Sequence, residues 1–201
     1  MYKLMFIFIM MFSVVFITSC NEDVKEPKYT LIKSMPDENF EIRRYETLYL
    51  ATTESAGDRR KTSNKNFRKL ADYIFAKKRD ASKGEVGKIA MTAPVFQHET
   101  EQDTWQMSFV MPAGYSFENL PVPKNEQVVL QKQEVKTFAV IRYSGRWSKE
   151  NYEEHRDKLL NILESKNIAM IGNPISAAYD PPWTMPALRR NEVFIEVLIS
   201  E

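Results

Sequence analysis

The sequence predicts an α+β domain: a distorted antiparallel β-barrel assembled from two repeated β-α-β-β units, with two flanking helices. Three observations lead there. Two stretches carry apolar residues at helical spacing, each preceded by one β-rich stretch and followed by two. The two sets align at nearly constant offsets. A link stiffened by prolines, Leu120-Pro121-Val122-Pro123-Lys124, falls between them.

The first unit opens with a strand over 40–54, rich in Tyr, Leu, Ile and Thr, which Gly57-Asp58 breaks. A helix follows over 63–78. Phe67, Leu70, Ala71 and Ile74 form its apolar face, and Ser63 is its expected N-cap. Strands come next over 88–97 and 104–111, the latter with Trp105, Met107, Phe109 and Met111 on one face. The second unit repeats the order. A strand spans 135–143, Ser144-Gly145 interrupts, and a helix spans 148–165 with Tyr152, Leu159 and Leu163 on one face. Strands over 175–180 and 192–199 complete it. Leu70 overlays Leu159 at an offset of 89, and Ile74 then falls on Leu163. Met91-Thr92-Ala93-Pro94 overlays Ala178-Tyr179-Asp180-Pro181 at 87, and Trp105, Met107 and Phe109 overlay Val193, Ile195 and Val197 at 88. The repeats expected are about 31–119 and 124–201.

The amino terminus belongs to no fold. Lys3 precedes a run over 4–17 with one polar residue, Ser13, the length of a signal-peptide core and short of the roughly 20 residues of a spanning helix. It ends in Ile17-Thr18-Ser19-Cys20, which has the form of a lipobox. The expectation is a lipoprotein signal peptide over 1–19, lipidation at Cys20, a polar tether over 20–30 and a domain over 31–201. The protein is then held in the bacterial cell envelope by the Cys20 lipid, on its periplasmic or surface face. Removing 1–19 takes one charge, Lys3, from 28 basic residues and none from 27 acidic ones, so the mature chain is net neutral with His uncharged. Bulk electrostatic binding of nucleic acid is excluded as a function class. Lipidation would also consume the one cysteine, which leaves no thiol catalysis and no disulfide.

Lys88-Ile89-Ala90-Met91-Thr92-Ala93-Pro94-Val95, Tyr179-Asp180-Pro181-Pro182 and Arg189-Arg190-Asn191-Glu192-Val193 together resemble the SOUL haem-binding family. Tyr45, Met111-Pro112, Pro121-Val122-Pro123 and Tyr143-Ser144-Gly145 add to the resemblance, which spans 28–199. It implies a distorted antiparallel barrel of two repeated units and non-covalent binding of haem b or another porphyrin. No Cys-x-x-Cys-His exists for a covalent haem. A related gyrase-inhibitor-like family of small-molecule binders shares the repeat and includes hydrolases.

The expected cleft lies between helix 63–78 and loop 181–189. Its candidate ligand-binding residues are Phe67, Arg68, Leu70, Ala71, Ile74, Met91, Tyr179, Trp183, Met185 and Arg189. Two readings of the helix stripe stand side by side, ordinary core and cofactor wall. Arg59 to Arg79 holds nine basic residues against Asp72, either a propionate-pairing rim or a solvated face. Two histidines are available. His98 is the candidate metal ligand, and His155 reads as a helix-edge residue. The resemblance supplies no matched axial residue, and no catalytic residue is assigned. Two rival classes remain: an enzyme using Glu192, Glu196, Tyr179 and Asp180, and a partner-binding envelope module using the two proline-rich loops.

Overall fold

In the structure, a computed structural model, the described residues are 24–75, 77, 87–100 and 103–199. Cys20 and the expected signal peptide lie outside them, as do Lys78 and Arg79 of the basic stretch. Among the described residues are nine strands: β1 (Tyr29–Met35), β2 (Phe40–Tyr45), β3 (Leu48–Ala56), β4 (Val95–Glu99), β5 (Thr104–Val110), β6 (Val129–Gln133), β7 (Lys136–Tyr143), β8 (Ala169–Ala178) and β9 (Asn191–Leu198). The helices are α1 (Arg59–Ile74) and α2 (Lys149–Ser165). All nine strands join one antiparallel sheet in the order β1-β2-β7-β9-β8-β4-β5-β3-β6, curled into a half-barrel with β1 and β6 at its edges. The α+β expectation of a distorted antiparallel barrel with two flanking helices therefore holds.

The neighbours β3-β5-β4 on one side and β7-β9-β8 on the other follow the same order. They meet in the middle where Val95, Phe96 and Gln97 of β4 pair with Ala178, Ala177 and Ser176 of β8. Each side also takes a strand from across the molecule. β2 precedes β3 in the chain but pairs with β7, and β6 precedes β7 but pairs with β3.

Alternation along the strands gives the sheet two buried faces. Ala139, Ile141, Val193 and Ile195 point to α2 and pack with Leu159 and Leu163. Ala51, Met107 and Phe109 point to α1 and pack with Leu70, Tyr73 and Ile74. Phe138, Val140, Ala177, Phe194 and Tyr45 point the other way, into the curl, and form a third cluster. Complete burial of a Leu or Ile contributes about 1.5–3 kcal/mol, so the helix faces are the principal anchors of each side.

Several expected boundaries move. The strand over 40–54 is two strands, interrupted at Glu46-Thr47, because its parts pair with opposite sides of the molecule. α1 starts four residues before Ser63. Asp58 caps it by accepting from the Lys61 N–H at 3.2 Å, while the Ser63 hydroxyl donates to the Arg59 carbonyl inside the helix. α2 starts as expected, with the Ser148 hydroxyl oxygen accepting from the Asn151 N–H at 3.2 Å. Residues 88–94 are not strand, and β4 begins only after Pro94, which has no N–H for a ladder. β6 and β1 were not expected as strands. β1 takes Tyr29 and Thr30 from the expected tether, and the chain before it is also docked: the Ala93 N–H donates to the Lys25 carbonyl at 3.0 Å.

Candidate functional site

Strand β2 carries Phe40 and Ile42 toward α2, so Glu41, Arg43 and Tyr45 face the inside of the curl. From β9, Glu192 and Phe194 face the same space. Arg43 is 3% exposed and Glu192 is 0% exposed, and the two pair bidentately. Arg43 Nη1 donates to Glu192 Oε2 at 2.7 Å, and Nη2 donates to Oε1 at 3.0 Å. The Tyr179 hydroxyl donates to Oε2 at 2.6 Å, and Arg190 Nε donates to Oε1 at 3.0 Å. The series continues outward on both sides. Arg43 Nε reaches Glu41 at 2.6 Å, and Arg190 reaches both oxygens of Glu26 at 2.9 and 3.0 Å. Aromatic faces close the cluster: Arg43 lies 4.6 Å from the Tyr29 ring centroid and Arg190 3.7 Å from that of Tyr179.

This environment fixes protonation. Burial opposes the charge on Arg43, but the hydrogen bonds and charge of Glu192 outweigh it and raise its pKa. Burial, then the negative charge of Glu192, holds the Tyr179 phenol well above its usual range. Burial pushes Tyr45 up to about 12 despite the lowering effect of Arg43. Glu192 accepts four hydrogen bonds on its two oxygens from three residues, so the arrangement serves as a buried electrostatic clamp between β2, β9 and the segment after β8.

A second region forms at one end of the sheet. β4 begins where β8 ends, with Val95 opposite Ala178, so the Met91–Pro94 segment abuts Tyr179–Pro182. The two segments are thus neighbours and not equivalents: one precedes β4 and the other follows β8. That corrects their overlay at an offset of 87. The last turn of α1 reaches the same end, where the Ile89 N–H donates to the Ile74 carbonyl at 2.8 Å and Met91 packs against the α1 cluster.

Loop 181–189 projects from this end and is internally tied. Arg189 Nε donates to the Thr184 carbonyl at 2.8 Å, Nη2 donates to the Pro182 carbonyl at 2.6 Å, and the guanidinium sits 4.6 Å from the Trp147 ring centroid. The Gly145 N–H donates to the Pro186 carbonyl at 2.9 Å. Gly145 has φ +110°, and a Cβ there would meet Asn151 Nδ2 at 2.8 Å, so glycine is required at the foot of the loop. The loop presents Trp183, Met185 and Leu188 to solvent at 83%, 67% and 72% exposure.

The sequence-predicted residues therefore separate. Leu70 and Ile74 are fully buried in the core beneath α1, out of reach of a surface ligand. Tyr179 points to Glu192. Arg189 is engaged by its own loop. Ala71 and Met91 are half-buried, and Phe67, Arg68, Trp183 and Met185 are exposed. Phe67 is 42% exposed and packs edge-on against Phe109 at 5.3 Å. His98 sits on β4, half-buried, and burial lowers its pKa and favours the neutral ring that can ligate iron. His155 stacks on Tyr143 at 4.3 Å and bonds the Asn151 carbonyl at 2.8 Å, a helix-edge role as read from the sequence. Among the described residues no three His, Cys, Asp or Glu side chains converge to hold a metal ion. Arg43, Glu26 and Tyr29 escaped sequence reasoning. The available signal was the alternation Phe-Glu-Ile-Arg-Arg-Tyr, which puts charge on a second face of β2, but nothing local marks that face as interior.

The sequence pattern of the SOUL haem-binding protein family matches residues 24–196. No curated protein matches at a significant level. Among solved structures, the EcmrR C-terminal domain is 12% identical with a TM-score of 0.60, over 79% of this chain and 96% of that one. A hydrolase from Listeria innocua is 10% identical with a TM-score of 0.54, over 80% of this chain and 92% of that one. An uncharacterized conserved protein from Listeria innocua is 11% identical with a TM-score of 0.55, over 80% and 93%. At such identities the likeness is one of fold. The family match covers nearly all described elements, so the chain belongs to the SOUL haem-binding protein family.

Proposed function

We propose that this protein is a lipid-anchored binder of haem b or a related porphyrin, held in the cell envelope through Cys20. The ligand lies non-covalently at the sheet end that the last turn of α1, the Met91 segment and loop 181–189 each reach. Family membership is the observation that carries the reading. The exposed side chains fit such a ligand: Phe67, Trp183 and Met185 offer apolar walls, and Arg68 offers a cation for a propionate. The haem supplies the chemistry of its iron and ring. The protein's part is to bind and orient it.

Binding energy then comes chiefly from ring area removed from water, on the order of 25 cal/mol per Å² before ordering costs. Soret titration of the mature protein is expected to show reversible, saturable binding that survives His98→Ala and His155→Ala. Trp183→Ala is expected to weaken it about tenfold, equivalent to about 1.4 kcal/mol. A histidine variant that abolishes the shifted band would identify an axial ligand, and absence of saturation in wild type would exclude haem. The rival hydrolase reading draws on the Listeria innocua neighbour and on Glu192. Here, however, both Glu192 oxygens already accept hydrogen bonds, from Arg43, Tyr179 and Arg190, which makes the carboxylate a poor general base.

A further inference from the structure

Loop 181–189 combines two features that rarely coincide in a surface loop. It is rigidly tied by Arg189 and by the Gly145–Pro186 hydrogen bond, and it still turns three large apolar side chains outward. Its apolar exposure is therefore built and not a product of looseness. Trp183, Met185 and Leu188 stand within six residues of one another, and Leu188 directly precedes Arg189 and Arg190. An apolar tip with tryptophan above the Arg189 guanidinium is a composition that settles at a bilayer interface.

The course of the amino-terminal segment points the same way. The Lys25 carbonyl accepts from the Ala93 N–H at 3.0 Å, and Glu26 holds Arg190, two residues after Leu188, through both carboxylate oxygens. The chain leading to Cys20 thus leaves the fold at the foot of this loop. Cys20 lies four residues before Val24, a reach of at most about 14 Å.

We infer that Trp183, Met185 and Leu188 enter the interfacial layer of a phospholipid bilayer beside the acylated amino terminus. The inference rests on the reading of Cys20 as the lipid anchor. The acyl chains hold the protein on the membrane, and the loop fixes its orientation. The sheet end with the proposed porphyrin cleft then faces lipid, into which an amphiphilic macrocycle partitions.

The test uses the full-length processed protein, without haem, in phosphatidylcholine vesicles whose acyl chains are brominated or unbrominated. Mass spectrometry reports acylation of Cys20, and tryptophan emission reports contact with the chains. Brominated lipid is expected to quench the wild type. Most of that quenching should be lost in Trp183→Phe, and also in Met185→Asp/Leu188→Asp, which keeps Trp183 but removes the apolar tip; circular dichroism checks that both fold. Equal emission in the two lipids with Cys20 acylated overturns the docking surface and leaves the anchor standing. Absence of acylation overturns the anchor reading and the inference with it. Self-association in solution that disappears in Met185→Asp/Leu188→Asp, without lipid quenching in wild type, assigns the tip to a second copy and likewise overturns it.

Discussion

Replacing Glu192 leaves the guanidinium groups of Arg43 and Arg190 facing a gap inside the curled sheet. Arg43 is as buried as a core leucine, and it would then keep only Glu41 as an ionic partner. Removal of one member of a buried ion pair costs about 3–5 kcal/mol, because the remaining charge is uncompensated. Glu192→Ala is therefore expected to lower unfolding free energy by that amount in urea titration. Arg190→Ala should cost clearly less, since Arg190 is half-buried and Glu192 retains Arg43 and Tyr179. Equal losses in the two variants would show that the clamp is not centred on Glu192. At this scale the sequence was half legible. Glu192, Tyr179 and Arg190 stand out as a local group, but Arg43 joins Glu192 across 149 positions, a distance that no periodicity encodes.

Both helices were readable from the sequence, because an apolar stripe at 3.6-residue spacing has few rival explanations over four turns. Leu70 and Ile74 are fully buried beneath α1, and Leu159 and Leu163 beneath α2. Leu70→Ala and Leu159→Ala are each expected to cost about 2–5 kcal/mol, measured by chemical denaturation. Unequal costs outside that range would mean that one helix packs less tightly than its contacts indicate. Strand boundaries were less readable for two physical reasons. Residues on both sides of Glu46-Thr47 are β-formers, so a break dictated by pairing across the molecule leaves no local mark. β6 is an edge strand with Gln131, Lys132 and Gln133 among its five residues, so it lacks the apolar signal of an interior strand.

Tyrosines buried on both faces of the sheet also govern behaviour in alkali. Burial lifts Tyr45 and Tyr143 from the ordinary 10 to about 12, raises Tyr152, and together with Glu192 holds Tyr179 well above its usual range. The folded chain keeps these phenol protons while an unfolded chain releases them above about pH 10. Their contribution to stability is thus complete below pH 10 and is lost as pH rises toward 12. Absorbance titration at alkaline pH should show these four ionising only in a late step that coincides with loss of circular dichroism. Ionisation of these four in an early step would contradict their burial.

The exchange of strands across the molecule has a consequence for the order in which the protein can be made. β2 leaves the ribosome early, yet its partner β7 lies about ninety positions later, and β7 needs β9 on its other side. β9 is the last strand in the chain and sits between β7 and β8. The half-barrel therefore cannot close until translation has passed Leu198. A nascent chain halted at residue 188 should remain protease-sensitive throughout, whereas release of the finished chain should give resistance in one step. Resistance of a fragment ending before β9 would show that one side closes unaided. Late closure suits a polypeptide proposed to cross a membrane before it folds: its topology keeps it threadable until synthesis is complete.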